Sequence, residues 1–247
     1  MLSNKTAFIT GCNRGIGKSI LEKLIKNNAN IICSVRKIDN KFLDYVKKQK
    51  KDLGANIKII EMDLMNVQNI KDSLKPVYDN KKKIDILINN AGIADGSILE
   101  MSSIEKIKEV FEVNFFSQIK LTQLLIRFLK KSKDASIINI GSISGILPER
   151  GTVGYGSSKA ALMFATKVMA NELSGYNIRV NAIAPNIVET EMLNAMDEKA
   201  KEIFINQSFQ KRAASVEDVS NLVIFLASVK SKYINGQIIR LDGGMKF

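Results

Sequence analysis

Tyr155 and Lys159 stand four residues apart, and Ser142 precedes the tyrosine by thirteen. Residues i and i+4 share a helix face, so on a helix the lysine ammonium would lie beside the phenol. A free tyrosine, with a pKa of about 10, exchanges its proton poorly at neutral pH; an adjacent cation stabilises the phenolate and lowers that value. The pair therefore reads as a tuned acid, with Ser142 as a second hydroxyl able to hydrogen-bond a carbonyl oxygen. Few other groups could carry acid-base chemistry. The chain has no histidine and five tyrosines, which removes the usual general base together with the commonest transition-metal ligand. Cys12 and Cys33 stand alone without a CxxC pattern, so a cysteine-based zinc site is excluded and no metal is expected.

A second cluster is the run Thr10-Gly11-Cys12-Asn13-Arg14-Gly15-Ile16-Gly17. It follows an apolar strand-like run and opens an amphipathic one. Glycines there allow a tight turn and close approach of the backbone to a pyrophosphate, while a helix N-terminus offers free N–H groups and positive dipole to phosphate. The competing reading is an ordinary turn between strand and helix. About 20 residues further on, an acid would hold the ribose 2′-hydroxyl of NAD and an arginine the 2′-phosphate of NADP. The chain reads Ser34-Val35-Arg36-Lys37 at that point. With Arg14 as a second cation, this favours NADPH/NADP+; Asp39 is the acid that would favour NADH.

The elements that must hold these groups alternate along the chain. Apolar runs rich in Ile and Val predict strands over Thr6–Thr10, Ile31–Val35, Ile57–Glu61, Ile84–Ile88, Ser136–Ile140, Ile178–Ala184 and Gln237–Leu241. Amphipathic spacing predicts helices over Gly15–Asn27, Lys41–Leu53, Val67–Tyr78, Ser103–Lys131 with a break, Tyr155–Leu173 and Val216–Leu226. Short, continuously apolar strands are expected where helices cover both faces of a parallel sheet. The fold class is α/β: one Rossmann-type doubly wound parallel sheet of about seven strands over residues 1–247, flanked by helices on both faces. The stretch Met192–Gln207, with apolar residues at mixed spacing, reads as a substrate lid or as a fixed helical hairpin.

The net charge of +12 and the pI near 9.6 fit three surfaces: one for nucleic acid, one for an acidic partner, or a lysine-rich coat. The runs Lys47–Lys51 and Lys81–Lys83 lack interleaved aromatics, which favours the coat over nucleic acid. No stretch approaches the roughly 18 consecutive apolar residues of a membrane helix. A soluble cytoplasmic protein is expected.

Several motifs in order resemble the short-chain dehydrogenase/reductase family across the whole chain. They are the glycine run with its G-x-x-x-G-x-G spacing, Asn89-Asn90-Ala91-Gly92, Ser142 with Tyr155 and Lys159, Pro185–Met192 (PNIVETEM) and Asp242–Met245 (DGGM). The resemblance implies a catalytic set of Asn114, Ser142, Tyr155 and Lys159, with Asn114 holding a water between Lys159 and solvent. Hydride would pass from nicotinamide to a carbonyl carbon while Tyr155 protonates the oxygen. Implied cofactor contacts are Thr10, Gly11, Asn13, Arg14, Gly15, Ile16, Gly17, Arg36, Asp63, Leu64, Asn90, Ala91, Gly92, Tyr155, Lys159, Pro185, Val188 and Thr190. Asp63 reads almost equally well as a helix N-cap. Within the family the chain is most similar to 3-oxoacyl-acyl-carrier-protein reductases, which implies a carrier-linked keto substrate, an acidic acyl carrier protein as partner and a homotetramer. Tyr176 stands where a basic residue is common on the carrier-docking surface, with Arg127, Lys130 and Lys131 nearby. Alternatives are the same chemistry on a keto-sugar nucleotide or small ketone, or a dinucleotide-sensing regulator.

Overall fold

The structure, a computed structural model, describes residues 2–80, 82–194 and 198–245. Its strands are β1 (Thr6–Thr10), β2 (Asn30–Val35), β3 (Ile57–Glu61), β4 (Ile86–Asn89), β5 (Ala135–Ile140), β6 (Ile178–Pro185) and β7 (Ile238–Leu241). Its helices are α1 (Gly15–Lys26), α2 (Asn40–Leu53), α3 (Val67–Ser73), α4 (Lys75–Asn80), α5 (Ile104–Phe111), α6 (Ser117–Leu129), α7 (Val153–Leu173), α8 (Glu191–Asn194), α9 (Glu198–Gln207) and α10 (Val216–Ala227). The strands pair in parallel in the order β3-β2-β1-β4-β5-β6-β7.

Side chains on successive strand residues point to opposite faces, and the core divides accordingly. Ile9, Ile86, Ile88, Ile138 and Ile140 pack with Ile20, Leu21 and Leu24 of α1 and Val223 and Leu226 of α10. Phe8, Leu87, Ile137 and Val180 enter the other layer with Ile70 and Leu74 near α3 and Leu121, Leu125 and Phe128 of α6. Strands covered on both faces have no room for polar alternation, which is why their sequences are nearly all apolar. Among the described residues no helix is long and apolar enough to cross a membrane.

Most boundaries fall within one or two residues of expectation, and the informative departures have local causes. β4 begins at Ile86 because the Ile84 N–H turns to the Phe128 carbonyl at 3.2 Å. The helix expected over 67–78 divides at Leu74, where Pro76 lacks an N–H and its ring opposes the carbonyl four residues back. The break expected in 103–131 is a π-helical turn over Glu112–Phe116. The stretch 192–207 contains α9 and the end of α8, two short helices, while Met196 lies outside the described residues.

Strand order reverses between β1 and β4, so their C-terminal ends open a crevice between the glycine run and Asn90. At the opposite, N-terminal end of the central strands, Asp85 fastens the sheet, buried at 2% exposure. Its carboxylate accepts from the Thr6 N–H at 2.9 Å, Lys83 Nζ at 2.9 Å and Ser132 Oγ at 2.6 Å. Removing it would leave the Thr6 N–H of β1 and the buried Ser132 hydroxyl without this partner. Asp85→Ala is expected to lower unfolding free energy by about 2–4 kcal/mol in a denaturant titration; a loss below about 1 kcal/mol would show that water replaces the carboxylate freely.

Candidate active site

The glycine run folds as a close-contact turn. Gly11 and Gly15 have φ of +67° and +51°, in the left-handed region. A methyl group on Gly17 would lie 1.9 Å from the Gly11 carbonyl oxygen, so only glycine fits. Arg14 stands at the N-cap of α1 without a side-chain capping bond, and the first turn has no acid. The leading N–H groups of α1 therefore face the crevice with positive dipole, an arrangement that fits a dinucleotide's phosphates. Asn13 is exposed, whereas Ile16 packs against the core.

The end of β4 is tied to this turn. Thr10 Oγ1 accepts from the Asn90 and Ala91 N–H groups at 3.0 and 2.9 Å, and Asn90 Nδ2 donates to the Thr10 and Gly11 carbonyls at 2.9 and 3.0 Å. Gly92 supplies closeness again: a methyl there would lie 3.1 Å from Asn114 Oδ1 and 3.3 Å from Lys159 Nζ. Asn114, fully buried in the π-helical turn, grips the same strand end. Its Oδ1 accepts from the Ile93 N–H at 2.9 Å, and its Nδ2 donates to the Ile93 carbonyl at 2.9 Å and to Ser158 Oγ at 3.0 Å.

Lys159 is 4% exposed, and its Nζ donates to the Ile140 carbonyl at 2.8 Å. It lies 5.9 Å from the centroid of the Tyr155 ring. Ser142, at the end of β5, faces the same phenol and opens the short 3-10 turn Ile143–Gly145. The four residues Asn114, Ser142, Tyr155 and Lys159 are thus brought together on one side of the crevice.

Their electrostatics differ from expectation. Burial pushes the Tyr155 phenol above its ordinary value; Ser142 pulls it down and the Glu149 carboxylate raises it further. Burial also pushes Lys159 down to about 8. Both groups are removed from water, and desolvation opposes charge on each.

On the adenine side of the crevice, Arg36 and Lys37 are exposed just past β2. Asp39 is occupied: its Oδ1 accepts the Phe42 N–H at 2.7 Å as the N-cap of α2. Asp63 is not an N-cap, correcting that alternative; Asn66 caps α3, while Asp63 Oδ1 accepts the Met65 N–H at 3.0 Å in a local turn. Leu64 is buried, and its carbonyl accepts from Ser117 Oγ. Pro185 ends β6; Val188 is buried and Thr190 Oγ1 donates to its carbonyl at 3.2 Å. A methyl on Gly15 would approach Thr190 Cγ2 to 3.4 Å, so this loop closes against the glycine run. Arg14 Nη1 meets Glu191 Oε2 at 3.0 Å across the same gap.

Two features were not foreseen from sequence. Glu149 is the one acid between Ser142 and Tyr155, and that isolation was its available signal. A buried chain, Asn89 Nδ2 to Asn139 Oδ1 at 2.8 Å and Asn139 Nδ2 to Thr166 Oγ1 at 2.8 Å, locks β4, β5 and α7 behind the site.

Comparison with known proteins agrees with this geometry. The family model for short chain dehydrogenase matches residues 5–201. The 3-oxoacyl-acyl-carrier-protein reductase FabG of Thermotoga maritima is 34% identical over 244 residues, covering 99% of this chain and 98% of that protein. The protein of the same name from Aquifex aeolicus is 33% identical over 254 residues, with the same coverage. Among solved structures, 4-hydroxyisoleucine dehydrogenase complexed with NADH superposes with a TM-score of 0.89 at 28% identity, covering 98% of both chains. A protein of Agrobacterium tumefaciens described as a gluconate dehydrogenase gives 0.92 at 26% identity, covering 99% of this chain and 96% of that one.

Burying Lys159 costs stability. Its folded pKa of about 8 lies below the unfolded value of 10.5, so the unfolded chain binds the extra proton between those pH values and stability rises with pH through that window. Below pH 8 the full cost is present, on the order of 3 kcal/mol. Lys159→Met is therefore expected to be more stable than the parent at pH 7 by roughly 2 kcal/mol after loss of one hydrogen bond. The advantage should shrink as pH rises from 8 to 10.5. Chemical denaturation of both proteins across that range is the check, and a pH-independent difference would contradict the assigned shift.

Proposed function

The chain belongs to the short chain dehydrogenase family, oxidoreductases of CH–OH and C=O groups, and from that premise we propose that it is an NADPH-dependent reductase of 3-oxoacyl thioesters carried on acyl carrier protein or coenzyme A. The observation that carries this reading is the end-to-end likeness to 3-oxoacyl-acyl-carrier-protein reductases at 33–34% identity. Preference for NADPH is supported by Arg36 and Lys37, exposed at the end of β2, while the nearby acids are engaged: Asp39 as a cap and Glu61 as acceptor of the Ile38 N–H at 2.9 Å.

The nicotinamide, when bound, supplies the hydride for the carbonyl carbon. The residues that would hold the dinucleotide are the glycine run, Asn90 to Gly92, Asp63, Leu64, Arg36, and Pro185 to Thr190, with Tyr155 and Lys159 at its reactive end. Ser142 donates a hydrogen bond to the substrate's carbonyl oxygen. Tyr155, kept protonated by its burial, passes the phenolic proton to that oxygen as it becomes an alkoxide. Lys159 stabilises the phenolate left behind, and Asn114, across Gly92 from Lys159, orders the route by which the proton is replaced.

Further parts of the reading rest on surfaces. Lys130 Nζ lies 3.4 Å from the Tyr176 ring centroid, restoring a cation where Tyr176 replaced one; with Arg127 it gives an acidic carrier a docking face. Phe116, Phe164 and Val168 are exposed apolar residues on the helices around Asn114 and Tyr155, suited to pairing in a homotetramer. The segment 192–207 would close over substrate as a lid. A second reading, favoured by the polar Glu149 beside the site, keeps the chemistry and changes the substrate to a small polar ketone.

The test is NADPH oxidation with acetoacetyl-CoA and a 3-oxoacyl carrier protein, each repeated with NADH. Turnover favouring the carrier-linked substrate is expected; failure of both thioesters with turnover of a polar ketone would establish the second reading. Arg36→Ala should raise KM for NADPH by roughly ten- to a hundredfold, the scale of one charge-assisted phosphate contact, while KM for NADH moves less than about threefold. Equal losses for both cofactors would mean the 2′-phosphate is held elsewhere.

A further inference from the structure

Glu149 lies in the loop between Ser142 and Tyr155, in the wall of a cleft of about 490 Å³ that Ile98, Leu99, Pro148 and Val153 also line. Its Oε2 accepts from Ser144 Oγ at 2.7 Å, while its Oε1 is buried without a partner. The Ser144 N–H in turn donates to Ser142 Oγ at 3.2 Å. The Glu149 carbonyl accepts from Thr152 Oγ1 at 2.8 Å, and the Thr152 carbonyl accepts from the Gly156 N–H at 2.6 Å. One acidic residue is therefore fastened both to the turn that presents Ser142 and to the first turn of α7, which carries Tyr155. A buried carboxylate oxygen left without a partner is costly, and an uncharged side chain of the same shape would lower that cost.

We propose that Glu149 is a positioning residue for the Ser142–Tyr155 pair, holding Ser142 through Ser144 and the first turn of α7 through Thr152, with its negative charge set beside the pair. The inference deepens the proposed function, on which it rests: a phenol kept protonated suits the site to reduction, where Tyr155 must give its proton. The charged groups facing Tyr155 are Lys159 on the same helix and Glu149 on the preceding loop; Arg150 lines the cleft beside Glu149. Lys159 favours the phenolate and Glu149 the phenol, so the two oppose each other across the ring.

The test is direct titration of Tyr155, read as phenolate absorbance with and without Glu149→Gln, each corrected by the matching Tyr155→Phe protein. Glutamine still accepts the Ser144 bond but carries no charge, so a merely structural Glu149 would leave the titration in place. The midpoint in Glu149→Gln is expected to fall by roughly half to one pH unit, with the melting temperature retained or raised. Ser144→Ala keeps the charge and should leave the midpoint unchanged while lowering kcat several-fold through a looser Ser142. An unshifted midpoint in Glu149→Gln overturns the proposal, as does a kcat in Ser144→Ala that is unchanged or raised. The titration needs no substrate: inactivity of the parent protein toward every ketone would refute the proposed function and leave this inference standing or falling on its own result.

Discussion

The amino group of Lys159 is removed from water at the centre of the molecule, and the surrounding structure is arranged around that constraint. A lysine 4% exposed must be met by a partner and by space for its stem. The Ile140 carbonyl provides the partner, and glycine at 92 provides the space. Asn114 then holds the chain after β4 through both backbone groups of Ile93, which keeps Gly92 pressed against the lysine. A regular α-helix would carry Asn114 past that position; the π-helical turn at 112–116 offsets α6 from α5 and leaves the amide aimed at Ile93. Local irregularity of this kind costs stability and persists only when neighbours over-determine it, as Ser158 and Ile93 do here.

From this arrangement follows the electrostatic character of the pair. Lys159 pushed down and Tyr155 pushed up both describe a dry site in which neither charge is favoured. Such a site holds its proton at rest and strengthens any charge that arrives, because the low dielectric amplifies it. In the proposed reaction, acid catalysis at neutral pH would then depend on the developing alkoxide drawing the proton from Tyr155, with Lys159 stabilising the phenolate that results. The glycine run and the β1–β4 crevice lie beside this pair, tied to it through Thr10 and Asn90.

Much of this was legible in the residues themselves. All seven strands were placed within two residues, because a sheet buried on both faces writes itself as unbroken apolar runs bounded by polar residues. Tyr155 and Lys159 were recognisable because helical spacing converts a sequence interval into a spatial neighbour. Pro76 was the available signal for the split between α3 and α4, which the expectation of one helix over Val67–Tyr78 passed over. Other features depend on loop closure and have no periodic signature: Glu149 reaching Ser144, Arg14 meeting Glu191, and Asn66 taking the cap that Asp63 also suited. The direction of the Tyr155 shift was misjudged because spacing reports which charges are near but not how much water is excluded, and burial is the largest influence on this phenol.

The central claim is that Tyr155 supplies the proton while the rest of the site binds dinucleotide without it. It is tested most directly by Tyr155→Phe, followed by rapid mixing with excess NADPH and a ketone the parent protein reduces. Binding of NADPH, read by its fluorescence, should stay within about threefold of the parent, and the hydride-transfer rate should fall by roughly a thousandfold or more, as expected when a general acid is removed from a buried site. A variant that oxidises NADPH at a rate near the parent's would contradict the account, since the proton would then come from another group.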